Sequence, residues 1–311
     1  MTKKKEEPNT QIAKRDMTHS QRFLLKVQKE FSGAVGHGVE FSSFEKQLAS
    51  NLFLKTDSAL KEFEAKRLQR GDASKRTPFT WENVNMEKLS VDAVHRVRLG
   101  LDALIPNHLH AIAYFNSKSG KYDLDLRIGY RGKHHIRMKM ATEDVKDIRY
   151  ELVHENDVFE PLPRDSERPV ESYKFAISNP FDRGNVIGGF GYIIYDDETK
   201  NRLVMVSEEE FEKVRKIAQT QDFWGKWGDK MRYKTLVHRV TDHLDLDPAK
   251  INPSYHYVES QDSMFVDEPQ EQPENRQLVD FEATTEPENP EKPEDEEIKK
   301  AEKEQELPFN Q

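Results

Sequence analysis

Residues 127–140 concentrate positive charge: Arg127, Arg131, Lys133, Arg137 and Lys139 stand there with His134 and His135, and no acid interrupts them. Tyr130 lies in the same run, and Gly129 and Gly132 bracket Tyr130-Arg131. Clustered cations are what a groove needs to follow a phosphate backbone. A tyrosine adds a face on which a base can stack, worth ~1–3 kcal/mol when it is used. Glycines let another backbone, protein or nucleic acid, come close. The same residues also fit a solvated basic helix face with Tyr130, Ile136 and Met140 turned into a core.

A second concentration lies between Trp224 and Arg239. Tyr233, Leu236, Val237, Val240 and Leu244 recur at helical spacing and predict one buried stripe. Lys230, Lys234 and His238 follow at i, i+4 along one flank, and Arg232 and Arg239 lie on the other. Lys226 precedes them. Arginine can grip a phosphate with two donors, whereas lysine acts as a point charge. Trp224 and Trp227 offer stacking faces, although a tryptophan just ahead of a helix is more often packed.

Other chemistries have weaker support. His238, Asp242, His243, Asp245 and Asp247 crowd together, and His238 with Asp242 has the i, i+4 spacing of a helical metal pair. That is the basis for an alternative, a metal-dependent DNA nuclease or another DNA-processing factor. No general base or nucleophile accompanies it, so no catalytic residue and no metal or other cofactor is assigned. Gly188-Gly189-Phe190-Gly191 lacks the Gly-Lys-Ser/Thr of a phosphate loop and reads as the start of a strand.

These segments need elements to position them. Phe23, Leu24, Val27 and Phe31 predict a first helix. Ser42 with Glu45 reads as a capping box ahead of Leu48, Leu52 and Phe53. Leu60, Phe63 and Leu68 predict a further helix that Gly71-Asp72 stops. Val91, Val94, Val97 and Leu101 predict another from Ser90, ended by Pro106. His108 to Phe115 and Lys121 to Ile128 alternate as hairpin strands around Asn116–Gly120. Ile148–Val153, Gly188–Tyr195 and Arg202–Val206 are further strands. Ser207 and Glu210 open a helix buried through Phe211, Val214, Ile217 and Ala218, and another runs from about Trp227 to Leu244. The fold class is therefore α+β: N-terminal helices, a central antiparallel sheet and hairpin region packed with helices, and a disordered acidic C-terminal tail.

The charge is divided along the chain. Residues 261–311 hold 17 Asp/Glu against 5 Lys/Arg, a net of −12, while the remainder is +3, so the overall −9 describes an acidic tail on a slightly basic body. That tail has too little apolar surface to offset the entropy of ordering it. Its Glu306-Leu307-Pro308-Phe309 is similar to the acidic tip of bacterial single-strand-binding proteins, except that Asn310 and Gln311 follow. The expected division is a disordered stretch 1–19, a helical region 20–84, an α+β body 85–260 and a tail 261–311. There is no cysteine, and no apolar run approaches the ~20 residues that span a bilayer. A cytoplasmic protein without membrane contact is expected.

Four segments, in order, resemble the RecT family of phage single-strand annealing proteins. Leu99-Gly100-Leu101-Asp102-Ala103 with His110–Phe115 is similar to its "GLEP" and "HAYLLPF" region. Leu126-Arg127-Ile128-Gly129-Tyr130-Arg131-Gly132 resembles its "LIIGYRG" block. Val153–Phe159 is similar to its "VREGDEF" segment. Met205–Arg215, then Trp224 and Lys230-Met231-Arg232-Tyr233-Lys234-Thr235, resemble its "MTRKQIELVR", "PW" and "EMAKKT". The sequence departs from the pattern after Gly132, at Arg232, and over Glu160–Asn185.

The resemblance implies an ATP-independent, non-enzymatic protein that coats single-stranded DNA, anneals complementary strands and holds the resulting duplex. It implies a homo-oligomer, ring or helical, with residues 20–70 supplying protomer contacts. A phage exonuclease and the host single-strand-binding protein are the further partners. The DNA-binding residues it points to are Arg127, Tyr130, Arg131, Lys133, Lys230, Lys234 and Arg239. The charge pattern adds Arg137, Trp224, Lys226 and Arg232.

Overall fold

The computed structural model describes residues 17–35, 41–71, 73–218, 222–261 and 275–279, all within one unit that reaches Val279. The expected irregular N-terminus falls mostly outside these residues. So does most of the acidic tail, with its Glu306–Phe309 motif.

Helix α1 (His19–Val35) buries Phe23, Val27 and Phe31. Helix α2 (Ser43–Leu68) starts at the expected capping box: Glu45 N donates to Ser42 Oγ at 3.2 Å, and Ser42 N donates to the Glu45 carboxylate at 2.9 Å. It then runs unbroken where two helices were expected. The polar residues in its middle do not interrupt it, because Thr56 satisfies its own hydroxyl on the Leu52 carbonyl at 2.8 Å. Leu68, expected inside, is exposed at the end of this helix. Helix α3 (Met86–Arg98) begins four residues before the expected Ser90, because the Asn85 side chain accepts from Lys88 N. It stops at Gly100, which takes φ +81, well before Pro106.

Strands β1 (Leu109–Asn116) and β2 (Lys121–Ile128) form the expected antiparallel hairpin, with Leu109 opposite Ile128 and Asn116 opposite Lys121. Helix α4 (Tyr130–Met140) follows directly. A second sheet has the order β3-β6-β7, from Val145–His154, Val186–Tyr195 and Arg202–Ser207. Between β3 and β6 the polar segment that the strand pattern left unassigned forms a hairpin, β4 (Asp157–Leu162) with β5 (Ser172–Ile177). Phe159, Tyr173 and Phe175 pack on Phe190 of β6. The strands are short and the connection 163–171 between them is polar and proline-rich, so the average composition of the segment looks like loop.

Helix α5 (Glu208–Ile217) carries the second expected capping box, Ser207 with Glu210. Of its expected buried face only Phe211 is fully inside, and Ile217 is exposed. After α6 (Asp222–Lys226), α7 (Gly228–Asp242) lies across the second sheet. Leu236, Val240 and Leu244 join Ile148, Leu152, Ile193, Val204, Val206, Phe211 and Trp224 in one core. The glycines of β6 make this approach possible. A Cβ on Gly191 would stand 2.4 Å from both Val240 methyls, and one on Gly189 would stand 2.9 Å from Leu236. The Gly-rich run is thus a strand shaped for a helix.

Helix α8 (Pro253–Gln261) and strand β8 (Arg276–Leu278) also lie where the sequence pattern indicated no element. Helix α8 buries Tyr255 and Val258, and its Ser254 and Tyr257 bond to His95 and Asp92 of α3 at 3.1 and 2.6 Å. Strand β8 lies inside the expected tail and pairs antiparallel with β1. Arg276 reaches Asp125 at 2.7 Å and Asp123 at 3.1 Å and lies over the Tyr114 ring at 4.4 Å. One strand with a charged anchor disappears in the average of a long acidic segment. Among the described residues no helix is long and apolar enough to cross a membrane.

Candidate nucleic-acid interface

The basic run becomes a helix that starts against the protein's own backbone. Gly129 N donates to the His108 carbonyl at 3.0 Å, and Gly132 N donates to the Asn107 carbonyl at 3.2 Å. A Cβ on Gly129 would stand 2.2 Å from the Asn107 carbonyl oxygen, and one on Gly132 would stand 2.5 Å from that of His108. Gly129 has φ −82, so the missing side chain is what matters there, not backbone freedom. Asn107 holds φ +62, a left-handed turn that brings the loop onto the helix start. Spaced three apart, the two glycines face the crossing backbone together and leave Tyr130 and Arg131 between them on the outside.

Tyr130 is half-buried and Arg131 exposed. The Tyr130 hydroxyl lies 3.5 Å from Asn107 Nδ2. Its ring meets that of Tyr233 on α7 edge-on, with centroids 6.2 Å apart, and Tyr233 in turn meets Tyr150 of β3 at 6.3 Å. His134 Nδ1 lies 2.8 Å from the Tyr150 hydroxyl. Three tyrosines from three elements therefore share a face. Tyr233, expected in the buried stripe, is 36% exposed, while Leu236, Val237, Val240 and Leu244 are buried as expected.

Cations surround this cluster. Lys230, Tyr233 and Lys234 follow at i, i+3, i+4 on α7, so they share a flank. Lys230 Nζ sits 4.2 Å from the Trp227 ring centre, and Trp227 is 51% exposed. Lys234 and Lys55 of α2 both lie close enough to His110 of β1 to hold its imidazole below the ordinary range, after burial as the larger cause. Lys226 is exposed at the end of α6.

Other residues singled out by sequence sit elsewhere. Lys133 is buried, its ammonium 2.7 Å from Asp242, and Arg137 reaches the same carboxylate at 3.3 Å. Residue 133 faces α7 because it follows Gly132 by one step, on the inner side of α4. Trp224 is buried in the core, so of the two tryptophans Trp227 is the accessible one. Arg232 is clamped by Glu208 at 2.6 Å and has Glu212 and Asp229 within 3.8 Å. Arg127 donates to the Tyr114 hydroxyl and belongs to the first sheet. Arg239 is half-exposed on the far flank of α7, beside His238. Tyr150, Lys55 and His110 lie at or beside this face although the sequence did not single them out. Each is distant in sequence from the basic runs, and only the packing of α2, β1 and β3 around α4 brings it near.

The metal alternative is not assembled. Both ring nitrogens of His238 are occluded without a hydrogen-bond partner, and Asp242 is engaged by two cations. Among the described residues no group of three or more His, Cys, Asp or Glu is placed to hold a metal ion.

The RecT family model matches residues 89–245, half of the chain. This stretch includes α4, α7 and the sheet between them. The chain belongs to the RecT family. Its function is accordingly single-stranded DNA binding and strand annealing in phage-type recombination. Within this RecT protein the matched region includes Tyr130, Arg131, Tyr150, Trp227, Lys230, Tyr233 and Lys234, whereas Lys55 lies outside it. No curated protein matches the chain.

The same region predicts a pH dependence. Burial pushes His95 and His108 down to about 4, and His108 Nδ1 accepts from Asp102 N at 3.4 Å, a bond that needs the unprotonated nitrogen. In the unfolded chain both histidines bind protons near pH 6.5. Stability is therefore full above that pH and declines as pH falls toward 4, because the unfolded state holds more protons. Urea titrations at pH 7.5, 6 and 5 should give falling midpoints; a flat series would show that these histidines are not neutral in the fold.

Proposed function

We propose that this RecT protein binds single-stranded DNA along the α4–α7 face and anneals it without ATP and without catalytic chemistry. It acts in the cytoplasm as a homo-oligomer, ring or helical, with helices α1 and α2 at the protomer contacts. A phage exonuclease supplies its strands and a host single-strand-binding protein competes for them. One observation carries this reading: cations of α2, α4 and α7 converge on a face that also exposes Tyr130, Tyr233 and Trp227. Arg131, Lys230 and Lys234 hold phosphates while the rings stack on bases, which leaves Watson–Crick edges free for a complementary strand.

The direct test mixes a fluorescent 60-mer with the protein in excess EDTA and without nucleotide, then adds the complement. Accelerated annealing is expected. Shortening of the strand when a divalent metal is restored would favour the nuclease instead, and no binding at low salt would sink both. Replacing Arg131, Lys230 and Lys234 together by alanine should flatten the dependence of log K on log salt by about 2, since each phosphate neutralised on a single strand adds roughly 0.7 to the slope. An unchanged slope would exclude these residues as phosphate ligands.

The tail gives a further prediction. Residues 280–311 carry a net −8 and compete electrostatically with DNA for the basic face. Truncation after Val279, which spares β8, should tighten DNA binding at low salt and lose that effect at high salt. Equal or weaker binding at low salt would count against competition.

A further inference from the structure

The loop between α3 and β1 carries a feature that the phosphate-and-stacking reading does not use. Leu104 is 52% and Ile105 42% exposed, and Pro106 beside them is exposed as well. Consecutive exposed apolar residues on a loop need a reason. The loop is not loose. Leu99, Leu101 and Ala103 anchor it in the core. Asp102 accepts from Asn51 of α2 at 3.1 Å and from Leu104 N at 2.9 Å. Ile105 N donates to the Asp102 carbonyl at 3.2 Å, and His108 N donates to that of Ile105 at 3.1 Å. The next residues, Asn107 and His108, are the ones on which the α4 glycines close. A non-glycine residue held at φ +62 by so many bonds marks a conformation that the surroundings impose.

The position narrows what this rigid apolar tip meets. On one side Asn51 ties it to α2, one turn from Lys55. On the other, Asn107 joins it to Tyr130 and the start of α4, next to Arg131. The tip thus lies within the run of cations and tyrosines, where a polyanion is the complementary occupant.

We infer that Leu104 and Ile105, backed by Pro106, form a wedge that enters between stacked bases of bound single-stranded DNA. The inference rests on the α4–α7 reading and adds a second action to it. Phosphate contacts hold a strand but leave its stacked runs intact. An apolar wedge inserted at a base step breaks the stack without reading sequence. Broken stacks present individual bases to an incoming complement, which is what annealing of purine-rich strands requires.

The test uses an oligonucleotide with 2-aminopurine inside a run of adenines, where stacking quenches its fluorescence. Wild-type protein should raise that fluorescence at least about twofold on binding, as expected for an interrupted stack. The double variant Leu104→Ser/Ile105→Ser should keep its affinity within about threefold, because phosphates supply most of it. It should lose the fluorescence rise and anneal purine-rich strands about tenfold more slowly than wild type. Leu104→Phe, still an apolar wedge, should retain the rise. Both positions are exposed, and a matching urea midpoint confirms folding. A double variant that keeps the full rise overturns the wedge. So does one that sediments as a smaller species without DNA, which would make the tip a protomer contact, or one that loses binding altogether. Failure of wild-type protein to bind at low salt would instead overturn the α4–α7 reading itself.

Discussion

Gly129→Ala is expected to lower the urea midpoint sharply, with a loss of about 3 kcal/mol, the upper range for forcing an extra carbon into a packed site. The new Cβ would stand 2.2 Å from a carbonyl oxygen and 2.8 Å from its carbon, both in the backbone at Asn107. No rotamer relieves that contact. Either the loop leaves the start of α4 or the helix shifts away, and in both cases Tyr130 and Arg131 move. DNA affinity should therefore fall as well, although Gly129 offers no side chain to DNA. Gly132→Ala should behave similarly, with its contact at 2.5 Å on His108. Gly225→Ala is the control: nothing lies within 4 Å of its added carbon, and in a helix alanine is the better residue. A Gly129→Ala protein with a wild-type midpoint would mean that the backbone crossing is looser than these distances require.

Asp242→Ala should cost roughly 2–4 kcal/mol, somewhat below the ~3–5 kcal/mol for removing one partner from a fully buried ion pair, because the Asp242 side chain is itself 36% exposed. Its carboxylate meets Lys133, whose side chain is 3% exposed, and Arg137, at 14%. The substitution strips the carboxylate from two desolvated cations at once. The double variant Lys133→Met/Asp242→Leu should recover part of the stability, because it removes the more deeply buried cation together with the carboxylate, while Arg137 still loses that carboxylate. The same variants decide what Lys133 is for. If it is structural, Lys133→Met lowers stability and leaves the salt slope of DNA binding unchanged. If it holds a phosphate, the slope falls by about 0.7. A stable Asp242→Ala protein would show that the pair is not a fixed part of the α4–α7 contact.

Both predictions concern residues inside or beside the motif that the sequence makes most conspicuous, and both separate scaffold from interface within it. Charge and spacing alone give Lys133 and Arg131 equal standing. In the fold they differ completely, because α4 packs on α7 and residues two apart on a helix point about 200° from each other, so Arg131 is exposed while Lys133 is buried on Asp242. The clamp on Arg232 is a similar case. Glu208 comes from the start of α5, two helices earlier in the chain, and nothing local announces that it neutralises this arginine. Substituting Arg232 would therefore test the α5–α7 contact before it tests DNA.

Local patterns of the sequence determined the elements whose signals are local. Both capping boxes, the β1–β2 hairpin, the strands β3, β6 and β7 and, Tyr233 apart, the apolar stripe of α7 follow from side-chain chemistry within one turn or one pleat, and each lies where its pattern puts it. The ordered motifs also determined the family. What needed tertiary structure was every property set by a partner far along the chain. Strand β8 and helix α8 gain their order from β1 and α3, not from their own composition. The glycines of the basic run serve a backbone contact with Asn107 and His108. The aromatic and cationic face exists only because α2, β1, β3 and α7 meet around the start of α4. Periodicity reports which side of an element is apolar, but the element packed against the other side decides whether a cation there faces solvent or a carboxylate.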